Sequence, residues 1–151
     1  MIGVLSFWKS LDNNWKSIFI IHIQINLTLL RLKYDLDNSS LTQNEQLMAT
    51  SNDDFEINDE FTKTLILTYF FLNRKLKIGR KQKFILQDLS PLLWFELLAE
   101  IEFYNCKILD CSALKKLKKL KSITFNEVEL AIDLFSLKSE FSALGIEVKI
   151  K

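Results

Sequence analysis

The chain has 151 residues, of which 48% are apolar and 26% are charged, and its net charge is +1. This much apolar material in a chain of this length can form a folded core, which excludes a disordered protein. The near-neutral charge gives no overall sign of a nucleic-acid-binding protein. Only three glycines and one proline are present, so a sheet built from many tight hairpins is disfavoured.

Charge is distributed unevenly along the chain. Residues 1–72 carry five basic and nine acidic side chains, whereas residues 73–151 carry fifteen basic and ten acidic side chains. This asymmetry predicts two regions with different roles. We assign residues 1–72 to a mainly helical N-terminal region and residues 73–151 to a second region.

The first predicted element is an amphipathic helix. Trp8, Leu11, Trp15 and Phe19 follow one another at spacings of three and four residues, which is the stripe of one helical face. Ser6 is the predicted N-cap of this helix. We interpret the aromatic stripe as core packing and not as a ligand site.

The next segment, Ser17–Tyr34, is apolar but is interrupted by polar residues at positions 22, 24, 26 and 28. A membrane span needs about 20 predominantly apolar residues, so no membrane span is predicted here, and no signal peptide is predicted at the N-terminus. Two interpretations stay open for this segment. Its apolar content favours a buried helix, and the alternation from Ile21 to Leu29 also permits strands.

The remainder of the first region is mostly polar. Residues 35–54 are rich in Ser, Asn, Asp and Thr, which predicts a loop containing one short helix over Gln43–Met48. Asn58 or Asp59 is the predicted cap of a further helix over Glu60–Leu67.

The second region contains an internal repeat. The segments Asp88–Cys106 ("DLSPLLWFELLAEIEFYNC") and Asp110–Val128 ("DCSALKKLKKLKSITFNEV") align without a gap from their first position to their last. Short apolar strand patterns recur at nearly regular intervals, at Leu76–Ile78, Ile101–Phe103, Ile123–Phe125 and Val148–Ile150. Short strands at such intervals predict a solenoid of stacked turns.

The segment Leu98–Cys106 ("LAEIEFYNC") resembles the leucine-rich-repeat motif L-x-x-L-x-L-x-x-N/C. The preceding Asp88–Leu92 resembles the repeats of about 22 residues in bacterial internalin-like proteins. Leu137–Ile150 is similar to the closing helix and strand of such arrays, and Phe7–Phe19 is similar to their helical N-terminal regions. The resemblance implies an α/β fold: a short leucine-rich-repeat solenoid with about four parallel strands, a mainly helical N-terminal cap and a C-terminal helix-strand cap.

Two details of this array are also predicted. Val128 stands where the motif has Asn or Cys, so an irregular turn is expected there, because valine cannot bond the neighbouring backbone. At the C-terminal end, the residues expected to cover the last turn are Phe135, Leu137, Phe141 and Leu144.

The outward positions of the predicted strands would form one concave surface, which is where repeat proteins usually bind. The predicted partner-binding residues are Lys77, Glu102, Tyr104, Thr124, Asn126 and Lys149. The predicted function is that of a non-enzymatic, cytoplasmic and monomeric interaction module for a protein partner that the sequence does not identify. One alternative is a structural or scaffold unit of a larger system.

A second alternative uses the basic run Lys115–Lys121 ("KKLKKLK") to bind acidic surfaces. We interpret this run as a solvated convex face, since its leucines occupy repeat positions. No aromatic residues interleave with the lysines, so nucleic acid is not a predicted partner. A membrane is not a predicted partner either, since no membrane span is predicted.

No catalytic constellation is predicted, and neither is a metal site or a cofactor. His22 is the only histidine and has no nucleophile at a recognised spacing. Cys106 and Cys111 are predicted to be reduced, with Cys106 in the core, where a thiol is inert. Asp88 and Asp110 are equivalent repeat positions, which favours turn residues bonding nearby backbone over a catalytic carboxylate pair.

Overall fold

A computed structural model describes residues 3–51 and 59–151. The chain forms two compact units, Met1–Phe70 and Phe71–Lys151. Its described residues form five α-helices and one five-stranded parallel sheet, which confirms the predicted α/β class. Among these residues, no helix is long and apolar enough to cross a membrane.

The first unit begins with two helices, α1 (Val4–Ser10) and α2 (Asn13–Asp37). The segment Ser17–Tyr34 therefore adopts the helical alternative. The prediction of one continuous helix from Trp8 to Phe19 is wrong, because Asp12 accepts a hydrogen bond from the Trp15 amide at 2.8 Å and starts a new helix.

Ser6 does not cap α1 as predicted. It lies inside that helix, whose N-cap is Gly3. Further along the chain, α3 (Gln43–Ala49) matches the predicted short helix, and Thr42 and Glu45 form a reciprocal capping box at its start.

The helix α4 (Glu60–Phe71) runs one turn further than predicted. Asp59 accepts hydrogen bonds from the amides of Phe61 and Thr62, both at 3.2 Å, as a cap does. The other candidate cap, Asn58, lies outside the described residues, as do residues 52–54 of the predicted loop.

The core of the first unit is aromatic. The rings of Trp15 and Phe19 lie 5.2 Å apart between centroids, and those of Phe19 and Phe70 lie 5.6 Å apart. Trp8, Trp15 and Phe19 are all buried, which confirms that this stripe is core packing.

The second unit is built on the sheet. Its strands are β1 (Lys75–Leu86), β2 (Glu100–Ile108), β3 (Ser122–Asn126), β4 (Glu129–Leu130) and β5 (Glu147–Ile150). They lie in the order β1-β2-β3-β5, and β4 pairs with β2. The strand β4 was not predicted, and β1 and β2 are longer than predicted.

Strand pairing follows the intervals seen in the sequence. Leu76 pairs with Ile101, Ile101 with Ile123, and Ile123 with Val148. The register between β1 and β2 shifts part-way along, because Gly79 pairs with Tyr104 and the next recorded pair is Phe84 with Cys106. From one pair to the next β1 advances by five positions and β2 by only two, so β1 contains a bulge.

Short 3₁₀ helices, Ser90–Trp94 and Ser112–Lys116, lie between the strands. Before each of them an aspartate closes the turn: Asp88 accepts from the Ser90 amide at 3.0 Å and Asp110 from the Ser112 amide at 2.9 Å. The predicted turn role of both aspartates is confirmed. The helix α5 (Leu134–Ala143) precedes β5.

Equivalent apolar positions of the two aligned segments fill the core of the second unit. Phe103 and Phe125 stack with ring centroids 5.9 Å apart, and Cys106 is fully buried as predicted. The prediction for α5 is wrong in part. Phe135 is 81% exposed and Leu144 is 54% exposed, because α5 turns only the face carrying Leu137 and Phe141 inward.

Candidate functional site

One face of the sheet gathers the residues predicted to bind a partner. Lys77 pairs with Glu102, Glu102 with Thr124, and Thr124 with Lys149, so these four residues form one row across β1, β2, β3 and β5. Adjacent strands are about 4.8 Å apart, which brings the side chains within reach of a single ligand surface. We call this row, together with Tyr104 and Asn126, the sheet face. Its binding role stays a prediction.

Tyr104 and Asn126 form the next row, in which Tyr104 also pairs with Gly79. A Cβ atom at position 79 would overlap the ring of Tyr104, so only glycine lets the ring lie against the backbone of β1. The Lys77 amine lies 5.1 Å from the centroid of that ring, which is a cation–π distance. The ring of Tyr104 thus lies against both Gly79 and the amine of Lys77.

Glu102 is the electrostatic centre of the sheet face. Its side chain is 22% exposed and lies 3.6 Å from the Lys77 amine and 3.5 Å from the Lys151 amine. In the row below, Lys75 and Glu100 pair at 3.3 Å. The acidic side chains of this surface thus have amine partners, and a partner would meet a pattern of paired charges.

An open depression of ≈ 380 Å³ lies over these rows. Its lining includes Leu76 and Ile101, whose side chains are buried, and the charged residues around Glu102. Such a surface favours recognition by charge and shape, since exposed ion pairs confer specificity more than affinity.

The basic run Lys115–Lys121 lies elsewhere in the second unit, in the segment that leads into β3. Lys115 forms an ion pair with Glu140 of α5 and is therefore occupied. The leucines of the run, Leu117 and Leu120, are buried, as their repeat positions predicted.

The thiols are unsuited to nucleophilic chemistry. Cys106 and Cys111 are free and buried. Burial raises the pKa of Cys106 to about 11 and, with a contribution from the charge of Asp110, the pKa of Cys111 to about 12. Both groups are therefore thiols at neutral pH.

His22 lies on α2 in the first unit. Burial lowers its pKa, and its Nε2 atom is enclosed with no hydrogen-bond partner among the residues the structure describes. These same residues contain no group of His, Cys, Asp and Glu side chains arranged to hold a metal ion.

Asn105 has a structural role that its sequence position did not predict. It lies directly after Glu100–Tyr104, the part of β2 that pairs with Lys75–Gly79 of β1. Its backbone φ is 52°, and its side-chain amide donates to the carbonyl oxygens of Arg80 and Lys81 at 3.0 and 2.9 Å. The repeat motif placed this bonding role at position 106, where Cys106 stands. The signal that could have found it is the Asn immediately before that cysteine.

Comparison with known proteins adds no relative: no family model, no curated protein and no solved structure matches this chain. The resemblance to leucine-rich repeats therefore depends on the motif residues in the sequence.

Proposed function

We propose that residues 73–151 form a short leucine-rich-repeat array and that the protein is a non-enzymatic interaction module, which binds a protein partner through the sheet face. The observation that carries this proposal is the register of the strands. Lys77, Glu102, Thr124 and Lys149 are separated by the sequence intervals of the repeat and stand side by side across the sheet. An array of this kind repeats one outward position on every strand, which creates a continuous recognition surface.

The contacts of two side chains on this surface also support a binding role. The ring of Tyr104 lies against Gly79 of β1 and within a cation–π distance of the Lys77 amine, and both contacts limit its rotamers. A tyrosine with few free rotamers contributes contact area at a low entropy cost, which is the property of residues that dominate interfaces. Glu102, which is mostly buried at the base of the face, pairs with Lys77 and Lys151 and places a negative charge at its centre.

A non-enzymatic role is favoured by the state of the nucleophiles. Cys106 and Cys111 are buried with raised pKa values, so neither supplies a thiolate at neutral pH. We also propose a cytosolic location, because free thiols persist in reducing compartments.

The test is an affinity capture from the lysate of the native cells, read by mass spectrometry. The variant Lys77→Glu with Tyr104→Ala changes the sheet face. The matched control, Lys81→Glu with Phe135→Ala, makes comparable chemical changes at exposed positions outside the face. We expect a protein that the wild type and the control capture and that the sheet-face variant loses. Equal capture by all three folded proteins would contradict the sheet face and favour a scaffold role.

A charge swap, Lys77→Glu with Glu102→Lys, separates recognition from stability. It keeps the net charge and an ion pair across β1 and β2. It loses the exposed pair of Glu102 with Lys151 and the contact of Lys77 with the Tyr104 ring, so the thermal midpoint should fall by a few degrees at most. Affinity for the captured partner should fall about tenfold or more, since each reversed charge meets a like charge on the partner. Unchanged affinity in the folded swap variant would show that these two charges do not contact the partner.

A further inference from the structure

Two depressions in the second unit join into one groove with cationic walls. Their volumes are ≈ 360 Å³ and ≈ 350 Å³, and they share Leu97, Lys118 and Lys119. We call the joined surface the basic groove. Its cationic wall residues are Arg74, Lys116, Lys118, Lys119 and Lys121.

Backbone hydrogen bonds bring some of these charged residues together. The Arg74 carbonyl accepts a hydrogen bond from the Ala99 amide at 2.7 Å, and the Ala99 carbonyl accepts one from the Lys121 amide at 2.8 Å. These three residues therefore stack just before β1, β2 and β3. Arg74 and Lys121 are two strands apart, about 10 Å, and the methyl side chain of Ala99 leaves the space between them open.

The cations of the groove lack counter-charges within the described parts of the chain. All five wall residues are exposed, and none of their side chains forms an ion pair or a hydrogen bond with a described residue. Lys115, immediately before Lys116, differs because it is paired with Glu140. The only acidic residue in the lining is Glu96. Like charges held this close together create a positive potential that attracts an anionic ligand.

The floor of the groove is apolar. Leu93 and Leu97 are half-buried, and Leu117 and Leu120 are buried beneath the lysines. No aromatic side chain is part of the lining, so the groove offers no platform on which nucleic acid bases stack. Cations around a leucine floor fit a ligand that is both acidic and apolar.

We propose that the basic groove binds an acidic peptide segment of a partner protein. The carboxylates of the peptide pair with the lysines and Arg74, and an apolar side chain of the peptide lies on Leu93 and Leu97. This is a second interaction surface, and it does not depend on the proposed role of the sheet face, with which it shares no residue.

The test measures the binding of a short fluorescein-labelled peptide of glutamate and leucine by fluorescence anisotropy at increasing salt. Wild-type protein should bind it, with an affinity that falls as salt rises. The variant Lys118→Glu with Lys119→Glu should bind at least about tenfold more weakly, because two attractions become repulsions. A matched peptide with serine in place of leucine should bind several-fold more weakly than the leucine peptide.

Controls keep the proposal falsifiable. Lys81→Glu with Lys138→Glu makes the same charge change at exposed lysines outside the groove and should bind like the wild type. If the reversal variant does not fold, Lys118→Gln with Lys119→Gln replaces it. Absence of peptide binding, or equal loss in the control variant, would overturn the proposal. Tighter binding of single-stranded oligodeoxythymidine than of the peptide, lost in the groove variant, would overturn it in favour of nucleic acid.

Discussion

Two turns occupy equivalent positions of the aligned segments but carry different residues. One turn follows Glu100–Tyr104 of β2, and the other follows β3. Asn105 and Glu127 occupy the same position of the two aligned segments and have nearly the same left-handed backbone, with φ of 52° and 54°. The amide of Asn105 donates two hydrogen bonds to the bulge of β1. Glu127 is exposed, and its side chain bonds no described residue.

The strands differ in the same way. The strand β2 continues through its turn from Glu100 to Ile108, whereas the equivalent stretch is divided into β3 and β4 at residues 127 and 128. Cys106 is fully buried, while Val128 at the equivalent position is half-buried. An unbroken strand therefore accompanies Asn105, whose side chain bonds the preceding strand, and a break accompanies Glu127, whose side chain makes no such bond.

Replacing Asn105 should have the largest effect on stability. Asn105→Ala removes two hydrogen bonds, worth about 1 kcal/mol each. It also places at positive φ a residue that tolerates this conformation less well than asparagine, which adds about 1 kcal/mol. We expect a total loss of about 3 kcal/mol in the free energy of unfolding, measured by urea denaturation.

Two further variants separate these contributions. Asn105→Gly relieves the backbone strain and should recover about 1 kcal/mol of the loss. Asn126→Ala, at the adjacent row of the sheet, has no side-chain hydrogen bond to a described residue and should cost less than Asn105→Ala. Equal stability of wild type and Asn105→Ala would contradict the role of the two hydrogen bonds.

Replacing Glu127 with asparagine should have a smaller effect on the free energy of unfolding, and it should stabilise the protein. Glu127→Asn places at φ 54° a residue that tolerates the left-handed conformation, so we expect a gain of about 0.5 to 1 kcal/mol in the free energy of unfolding. Glu127→Gln removes the same charge from the same position without the tolerance of asparagine for positive φ, and it serves as the control. A gain of the same size in the control would assign the effect to charge and not to the backbone.

The sheet was predictable because the buried residues of the two aligned segments recur at the same sequence interval. Ile101 and Ile123 occupy the same slot of the motif and pair directly in the structure, so the row of the sheet face follows from counting residues. The bulge of β1 was not predictable, because its extra residues are accommodated by hydrogen bonds from Asn105, which is distant from them in the sequence. The packing of Tyr104 over Gly79 depends on that same pairing.

The helix α2 shows why a local pattern left two alternatives. Its inward residues include Ile23 and Leu27, but Ile25 and Leu29 are also apolar and are 51% and 55% exposed. Apolar residues on both sides of a helix weaken the helical period and leave an alternation typical of a strand. Only tertiary packing distinguishes the two faces.

Another pair of equivalent turns carries the same residue, Asp88 in one and Asp110 in the other. Replacing Asp110 should have the smallest effect on stability. The hydrogen bond from the Ser112 amide lowers the pKa of Asp110 below the ordinary value of 3.8. A carboxylate with a lowered pKa contributes stability above its unfolded pKa, and this contribution is lost as pH falls through the folded pKa. Wild type should therefore lose more stability than Asp110→Asn as the pH falls from about 4 to below about 3 in urea titrations. Parallel pH profiles of the two proteins would show that the turn holds its shape without the charge, through an acceptor oxygen that Asn also provides.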